Sequence, residues 1–185
     1  MKKVAVVYHS GHGNTEVIAK DVVAGLQEQD DILVRLFRAE DLTENPTALV
    51  EYDGLIWGSP TYLGGVSGVF KQFMDATGKI WSKQLFKGKL ASGFTVSSLP
   101  AGDKQSTLLS MFIFSMQHGM VWVGNPFIPE QHQGVAYEEA VNRLGSWSGL
   151  MAQASHASNA ALAPGDLKTA RKFGENFSQT LRKYD

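Results

Sequence analysis

The sequence has no cysteine. That excludes a disulfide scaffold, a zinc ribbon, an iron–sulfur centre and a thiol nucleophile, so any redox chemistry must come from a bound cofactor. It also lacks an excess of either charge: 17 Lys and Arg face 18 Asp and Glu, a net of −1. A nucleic-acid partner and a strongly acidic docking surface are both excluded as the dominant role. No apolar run approaches the roughly 20 residues of a membrane span, so none is expected. The apolar run after Met1-Lys2-Lys3 covers only Val4 to Tyr8 and stops at His9-Ser10-Gly11-His12-Gly13. A secretion signal would continue for about 7–15 apolar residues to a small-residue cleavage site. The run reads instead as a buried first strand, and the expected compartment is the cytoplasm. Of His9, His12, His132 and His156, only the first two are close together, with no carboxylate or thiol beside them, so no metal site is expected.

What is present suits one globular domain over residues 1–185: 43% apolar residues, and 19 glycines, or about 10% against a usual 7%. Val4 to Tyr8, Leu55-Ile56-Trp57 and Leu90 to Val96 are short continuous apolar runs, as strands buried on both faces of a parallel sheet require. Ile32, Val34 and Leu36 carry polar interruptions suited to an edge strand, and Met120 to Val123 reads as a fifth strand. Between them, helical spacing recurs over residues 15–28, then at Val66, Val69, Phe70, Phe73 and Met74, and again at Leu108, Leu109, Phe112, Ile113 and Met116. A last helix starts at Pro164. Strands alternating with helices predict an α/β fold of three layers, flavodoxin-like, with a five-stranded parallel sheet in the order 2-1-3-4-5 and helices on both faces. Ligands of such sheets bind beyond the carboxyl ends of the strands.

Three loops are expected at that end. Ser10, Gly11, His12, Gly13, Asn14 and Thr15 follow strand 1 and open a helix, where free N–H groups and the dipole favour an anion. No lysine gives a Walker loop and the GxGxxG pattern is missing, so a monophosphate fits better than a triphosphate or dinucleotide. A plain strand-to-helix turn remains the alternative. Pro60, Thr61, Tyr62, Leu63, Gly64 and Gly65 follow strand 3 and place an aromatic where a flat ring could pack, or where it simply covers the core edge. Ser97, Ser98, Leu99, Pro100, Ala101 and Gly102 follow strand 4, with small residues and backbone groups for the polar edge of a heterocycle.

These residues resemble the flavodoxin-like FMN proteins. The first loop is similar to the flavodoxin phosphate loop Ser/Thr-x-Thr-Gly-x-Thr, with His12 at the central Thr. The closer resemblance is to the WrbA-type NAD(P)H:quinone oxidoreductases. It is carried by Tyr52 to Thr61, by Val66 to Trp81 with its ending Asp75-Ala76-Thr77-Gly78-Lys79-Ile80-Trp81, by Lys87 to Ser92, by His118 to Val121 and by Gly145 to Gly149. It covers nearly the whole chain. The departures are the flavodoxin-like first loop, a third loop with Leu99 and Pro100 in place of glycines, and a shorter segment between strands 2 and 3.

The resemblance implies FMN, with its phosphate on Ser10 to Thr15, its ring on Thr61, Tyr62 and Leu63, and its ring edge and ribityl chain on Ser97 to Gly102. It implies catalytic pocket roles for Tyr62, Trp81 and His118, the last also touching the cofactor. NADH or NADPH is the implied electron donor, a quinone-like molecule the acceptor, and a homodimer or homotetramer the assembly. An electron-carrying flavodoxin without substrate turnover is the competing expectation. The segment from Gly124 to Ala163 exceeds an ordinary connection, whose median is about 5 residues. It is expected to close over the active site or to pack on a neighbouring subunit.

Overall fold

The valines after Lys3 form β1 (Lys2–Tyr8), buried from Val4 onward because it lies inside the sheet. The computed structural model describes residues 1–154 and 162–184. In it β1 pairs in parallel with β2 (Ile32–Arg38) on one side and β3 (Gly54–Tyr62) on the other. The polar interruptions of β2 place it at the sheet edge, as its sequence predicts. β3 turns back into the two-residue antiparallel β4 (Gly65–Val66) and pairs in parallel with β5 (Leu90–Ser97). The fifth position is shared by two short strands, β6 (Val121–Trp122) beside Leu90 and Ala91 and β7 (Leu150–Gln153) beside Phe94 to Ser97. The predicted order 2-1-3-4-5 therefore holds, with seven strands rather than five.

One face of the sheet presents Val4, Val6, Ile56 and Phe94 to α1 (Asn14–Leu26). The other presents Ala5, Val7, Leu55 and Trp57 to a layer of four helices: α2 (Ala39–Leu42), α3 (Gly68–Ala76), α4 (Gly78–Ser82) and α5 (Lys104–Gln117). The last helix, α6 (Pro164–Lys183), joins α1 on the first face through Phe173 and Phe177. The two approach closely because glycines face backbone: a Cβ on Gly25 would lie 1.8 Å from the Arg171 carbonyl oxygen, and one on Gly174 2.1 Å from that of Val22.

The described part of the long segment after strand 5 packs on α6 and completes the sheet. It leaves the fifth strand after β6, runs along α6 and returns as β7. The Asn142 amide donates to Thr169 Oγ1 at 2.8 Å, and Lys168 pairs with Glu139 at 2.6 Å. Residues 155–161, which include His156 and most of the Ala/Ser-rich stretch, lie outside the described residues. The spacing at Leu108 to Met116 does mark a helix, α5, but only part of its apolar stripe faces the core. Leu109, Ile113 and Met116 are exposed, while Lys104, Thr107, Leu108, Met111 and Ser115 are buried.

Candidate functional site

Parallel pairing of β1, β3 and β5 brings their carboxyl ends together, and the three loops with them. In the first, Gly13 sits at the N-cap position of α1 with φ 89° and offers no side-chain cap. Ser10 Oγ accepts from the Glu16 amide at 3.3 Å, while the amides of residues 11–15 make no hydrogen bond among the described residues. Five consecutive donors thus stay open at the positive end of a helix dipole. His9 anchors the loop from below: its amide donates to the Gly58 carbonyl at 3.0 Å, and Nδ1 shares a 2.8 Å hydrogen bond with Ser67 Oγ. Burial, opposed in part by the Glu40 carboxylate, holds the His9 imidazolium below its ordinary pKa.

The second loop is a hairpin tip. Tyr62 pairs with Gly65, and Leu63 and Gly64 between them both take positive φ, 48° and 80°. That is the two-residue geometry favoured in hairpins, but leucine is a poor residue for it. Leu63 is also fully exposed. An apolar side chain held strained at a surface tip points to a ligand or partner at that position. Tyr62 leans over the first loop, with its hydroxyl 2.5 Å from where a Cβ on Gly11 would lie and its ring edge-on to His12 at 6.4 Å. Below the tip, Thr61 Oγ1 shares 2.8 Å hydrogen bonds with Thr95 and Thr107, which tie β3 to β5 and α5.

The third loop rests on a lysine that no sequence motif marks. Lys104 is fully buried, and its ammonium donates to Ser97 Oγ at 3.0 Å, to the Leu99 carbonyl at 2.6 Å and to the Pro100 carbonyl at 2.9 Å. Burial pulls its pKa down to about 8, with Asp166 opposing and Arg143 reinforcing. Next to it Gln153 Nε2 donates to the Ser98 carbonyl at 3.2 Å, and the Gln153 amide donates to Asp166 at 2.9 Å. Arg143 grips the same carboxylate with Nε and Nη2 at 2.8 and 2.9 Å. The interrupted fifth strand is thereby wired to the third loop.

The structure brings Ser10 to Thr15, Pro60 to Gly64 and Ser97 to Gly102 to one end, and it does not bring Trp81 or His118 there. Both lie at the amino end of the sheet. α5 runs 14 residues from the third loop to His118, about 21 Å of helix. His118 is buried, Nε2 shares a 3.0 Å hydrogen bond with Thr77 Oγ1, and Nδ1 has no partner among the described residues. Burial pushes its pKa down to about 4. With half-exposed Trp81 it lines a groove of about 560 Å³ between α3, α4 and α5. Among the described residues no three His, Asp or Glu side chains are grouped to hold a metal, and no helix is long and apolar enough to cross a membrane.

Comparison with known proteins identifies the family and the fold. Residues 3–133 match the model of the NADPH-dependent FMN reductase family. A protein of Archaeoglobus fulgidus named NAD(P)H dehydrogenase (quinone) is 32% identical, with 99% of each chain covered. A Pseudomonas aeruginosa protein named flavodoxin FldP is 33% identical, over 94% of this chain and 93% of that one. The crystal structure of a WrbA-like flavodoxin from Agrobacterium tumefaciens superimposes with a TM-score of 0.75 at 31% identity, covering both chains completely. The chain thus belongs to the NADPH-dependent FMN reductase family and is a flavodoxin-like, WrbA-type member of it.

Proposed function

We propose that the protein is an FMN-dependent oxidoreductase that passes two electrons from NADH or NADPH to a quinone-like acceptor. The observation that carries this reading is the pairing of five open amides at residues 11–15 with exposed Tyr62, Leu63 and Leu99 at the same end of the sheet. A phosphate needs the former and a flat ring the latter. The backbone around Gly13 is open: a Cβ added there would meet no atom within 4 Å, which leaves room for a close approach. Ser10 and Thr15 frame the phosphate, Thr61 to Leu63 flank the ring, and the loop from Ser97 to Gly102 offers amides to its polar edge. FMN, when bound, supplies the two-electron chemistry of its ring, taking hydride from a nicotinamide and giving electrons to the acceptor. The chain's part is to bind, orient and shield that ring. Burial holds both the His9 and the His118 imidazoles below their ordinary pKa, His118 at about 4, which disfavours their charged forms.

Catalytic roles for Trp81 and His118 require a second copy of the chain, because one copy keeps them a helix length from its own loops. The exposed stripe Leu109, Ile113 and Met116 beside their groove supports a homodimer or homotetramer. Light scattering on the purified protein tests the assembly, and a monomer removes those two residues from the site.

The reading as a whole is tested by stopped-flow mixing of the FMN-loaded protein with NADH or NADPH, then with benzoquinone. Bleaching near about 450 nm followed by recovery is expected. Flavin that neither nucleotide bleaches overturns the enzyme reading. The similarity to a protein named flavodoxin favours, in that event, an electron carrier without turnover.

A further inference from the structure

The buried lysine behind the third loop has no part in the chemistry described above. Among the described residues its ammonium alone serves the Pro100 carbonyl, and it shares the Leu99 carbonyl only with the Ser97 hydroxyl. A trans peptide points the carbonyl of one residue and the amide of the next in opposite directions. The Pro100 carbonyl, drawn inward by Lys104, therefore turns the Ala101 amide outward, and the Ser98 carbonyl, drawn inward by Gln153, does the same for the Leu99 amide. Neither amide makes a hydrogen bond among the described residues, and both residues are exposed.

The charge is as unusual as the geometry. Lys104 stands in the first turn of α5, where the helix dipole disfavours a cation. Among the described residues no carboxylate lies within ion-pair distance of its ammonium. Asp166 is engaged by both Arg143 and the Gln153 amide, Glu138 pairs with Arg143 at 3.3 Å, and Asp103, just ahead of the helix, is exposed. A buried cation without a paired carboxylate survives only if its hydrogen bonds are made, and those of Lys104 all go to the third loop.

We propose that Lys104 is the positioning residue of the third loop, holding its carbonyls inward so that the amides face the polar edge of the bound flavin, with a positive charge directly behind them. This rests on the FMN reading for its ligand. A cation behind the ring edge favours the electron-rich form of a flavin over the oxidised form and so raises its potential.

Two variants of the full chain separate donor from charge. Lys104→Met keeps the volume and removes both; Lys104→Gln keeps two N–H donors and removes only the charge. In the FMN-free protein, Lys104→Met should speed amide hydrogen exchange at residue 104, whose amide donates to the Ala101 carbonyl of the loop at 3.1 Å, by about tenfold or more, because the loop loses its hydrogen bonds to a charged group. Its dissociation constant for FMN, read by flavin fluorescence, should rise about tenfold. Lys104→Gln should hold FMN within about threefold of the unaltered protein, yet lower the two-electron midpoint potential by about 30 mV, a tenfold change in relative affinity for the two redox forms. Unchanged exchange and unchanged FMN affinity in Lys104→Met overturn the proposal. If that variant does not fold, an unchanged potential in Lys104→Gln does so. Failure of the unaltered protein to bind FMN refutes the ligand assignment instead, and exchange in the FMN-free protein then still decides whether Lys104 holds the loop.

Discussion

Replacing Gly174 by alanine should destabilise the protein although alanine is the better helix former. Propensity alone promises a gain of about 1 kcal/mol at this position in the middle of α6. The structure reverses the sign. A Cβ there would stand 2.1 Å from the Val22 carbonyl oxygen and 2.9 Å from the Leu26 nitrogen, whereas ordinary contact begins at 3.4 Å. The obstacle is the backbone of α1, which cannot swing aside as a side chain would. The helices must part by about 1 Å or more, and the contacts around Ile18, Val22, Phe173 and Phe177 loosen together. Overpacking of this kind costs about 3 kcal/mol at the upper end of its usual range. Subtracting the propensity gain leaves a loss of about 2 kcal/mol, or a fall in Tm of about 4–8 °C for a chain of this length. Thermal unfolding followed by circular dichroism at 222 nm measures it, with Gln179→Ala on the exposed side of the same helix as a control that should stay within about 0.5 kcal/mol. A Tm for Gly174→Ala equal to or above that of the unaltered protein would refute the reasoning.

Three further outcomes are expected. Ser115→Ala should cost about 2 kcal/mol in urea unfolding, because the Trp57 indole N–H loses its acceptor, the Ser115 hydroxyl at 2.9 Å, inside the core. Arg143→Met should cost about 3–5 kcal/mol by the same assay, since it leaves Asp166 charged and buried without its cation; a loss below about 1 kcal/mol would show the pair to be dispensable. Stability should fall as pH drops from 6.5 toward 4. The folded-state pKa of His118 lies below its unfolded value, so in that window the unfolded chain binds a proton that the native protein excludes, and the contribution is fully present only above pH 6.5. Unfolding midpoints measured across the window should be flatter in His118→Phe.

The parts of the fold legible in the sequence are those that burial alone dictates. β1, β3 and β5 are covered on both faces and read as continuous apolar runs, and β2 betrays its edge position by its polar residues. Once the parallel order is known, the meeting of the three loops follows from chain direction. So does the separation of Trp81 and His118 from them, because helices that return antiparallel to the strands end at the opposite side. The inward face of α5 is not legible. Its residues Lys104, Thr107, Ser115 and His118 are polar, and each is satisfied by a group far away in sequence or by a loop carbonyl, at Leu99, Thr61, Trp57 and Thr77 respectively. Such matching leaves no periodic trace, and of the apolar side chains that do show a period Leu109, Ile113 and Met116 face outward. One signal does mark Lys104: a lysine in the first turn of a helix runs against the dipole and asks for an explanation. β7 is hidden for a different reason. Its four residues complete a strand begun at Val121, and a half-strand cannot be recognised apart from its other half.

The glycine-mediated contact between α1 and α6 also sets a timetable for synthesis. The first helix is made early, but the helix that covers its flank begins about 140 residues later. At about 5–20 residues per second that is an interval of roughly 7–28 s on the ribosome. During it Ile18, Val22 and the sheet face formed by Val4, Val6 and Ile56 have no Phe173 or Phe177 to cover them. The same helix pair that locks the finished protein thus leaves its unfinished form with an uncovered apolar face until α6 is made.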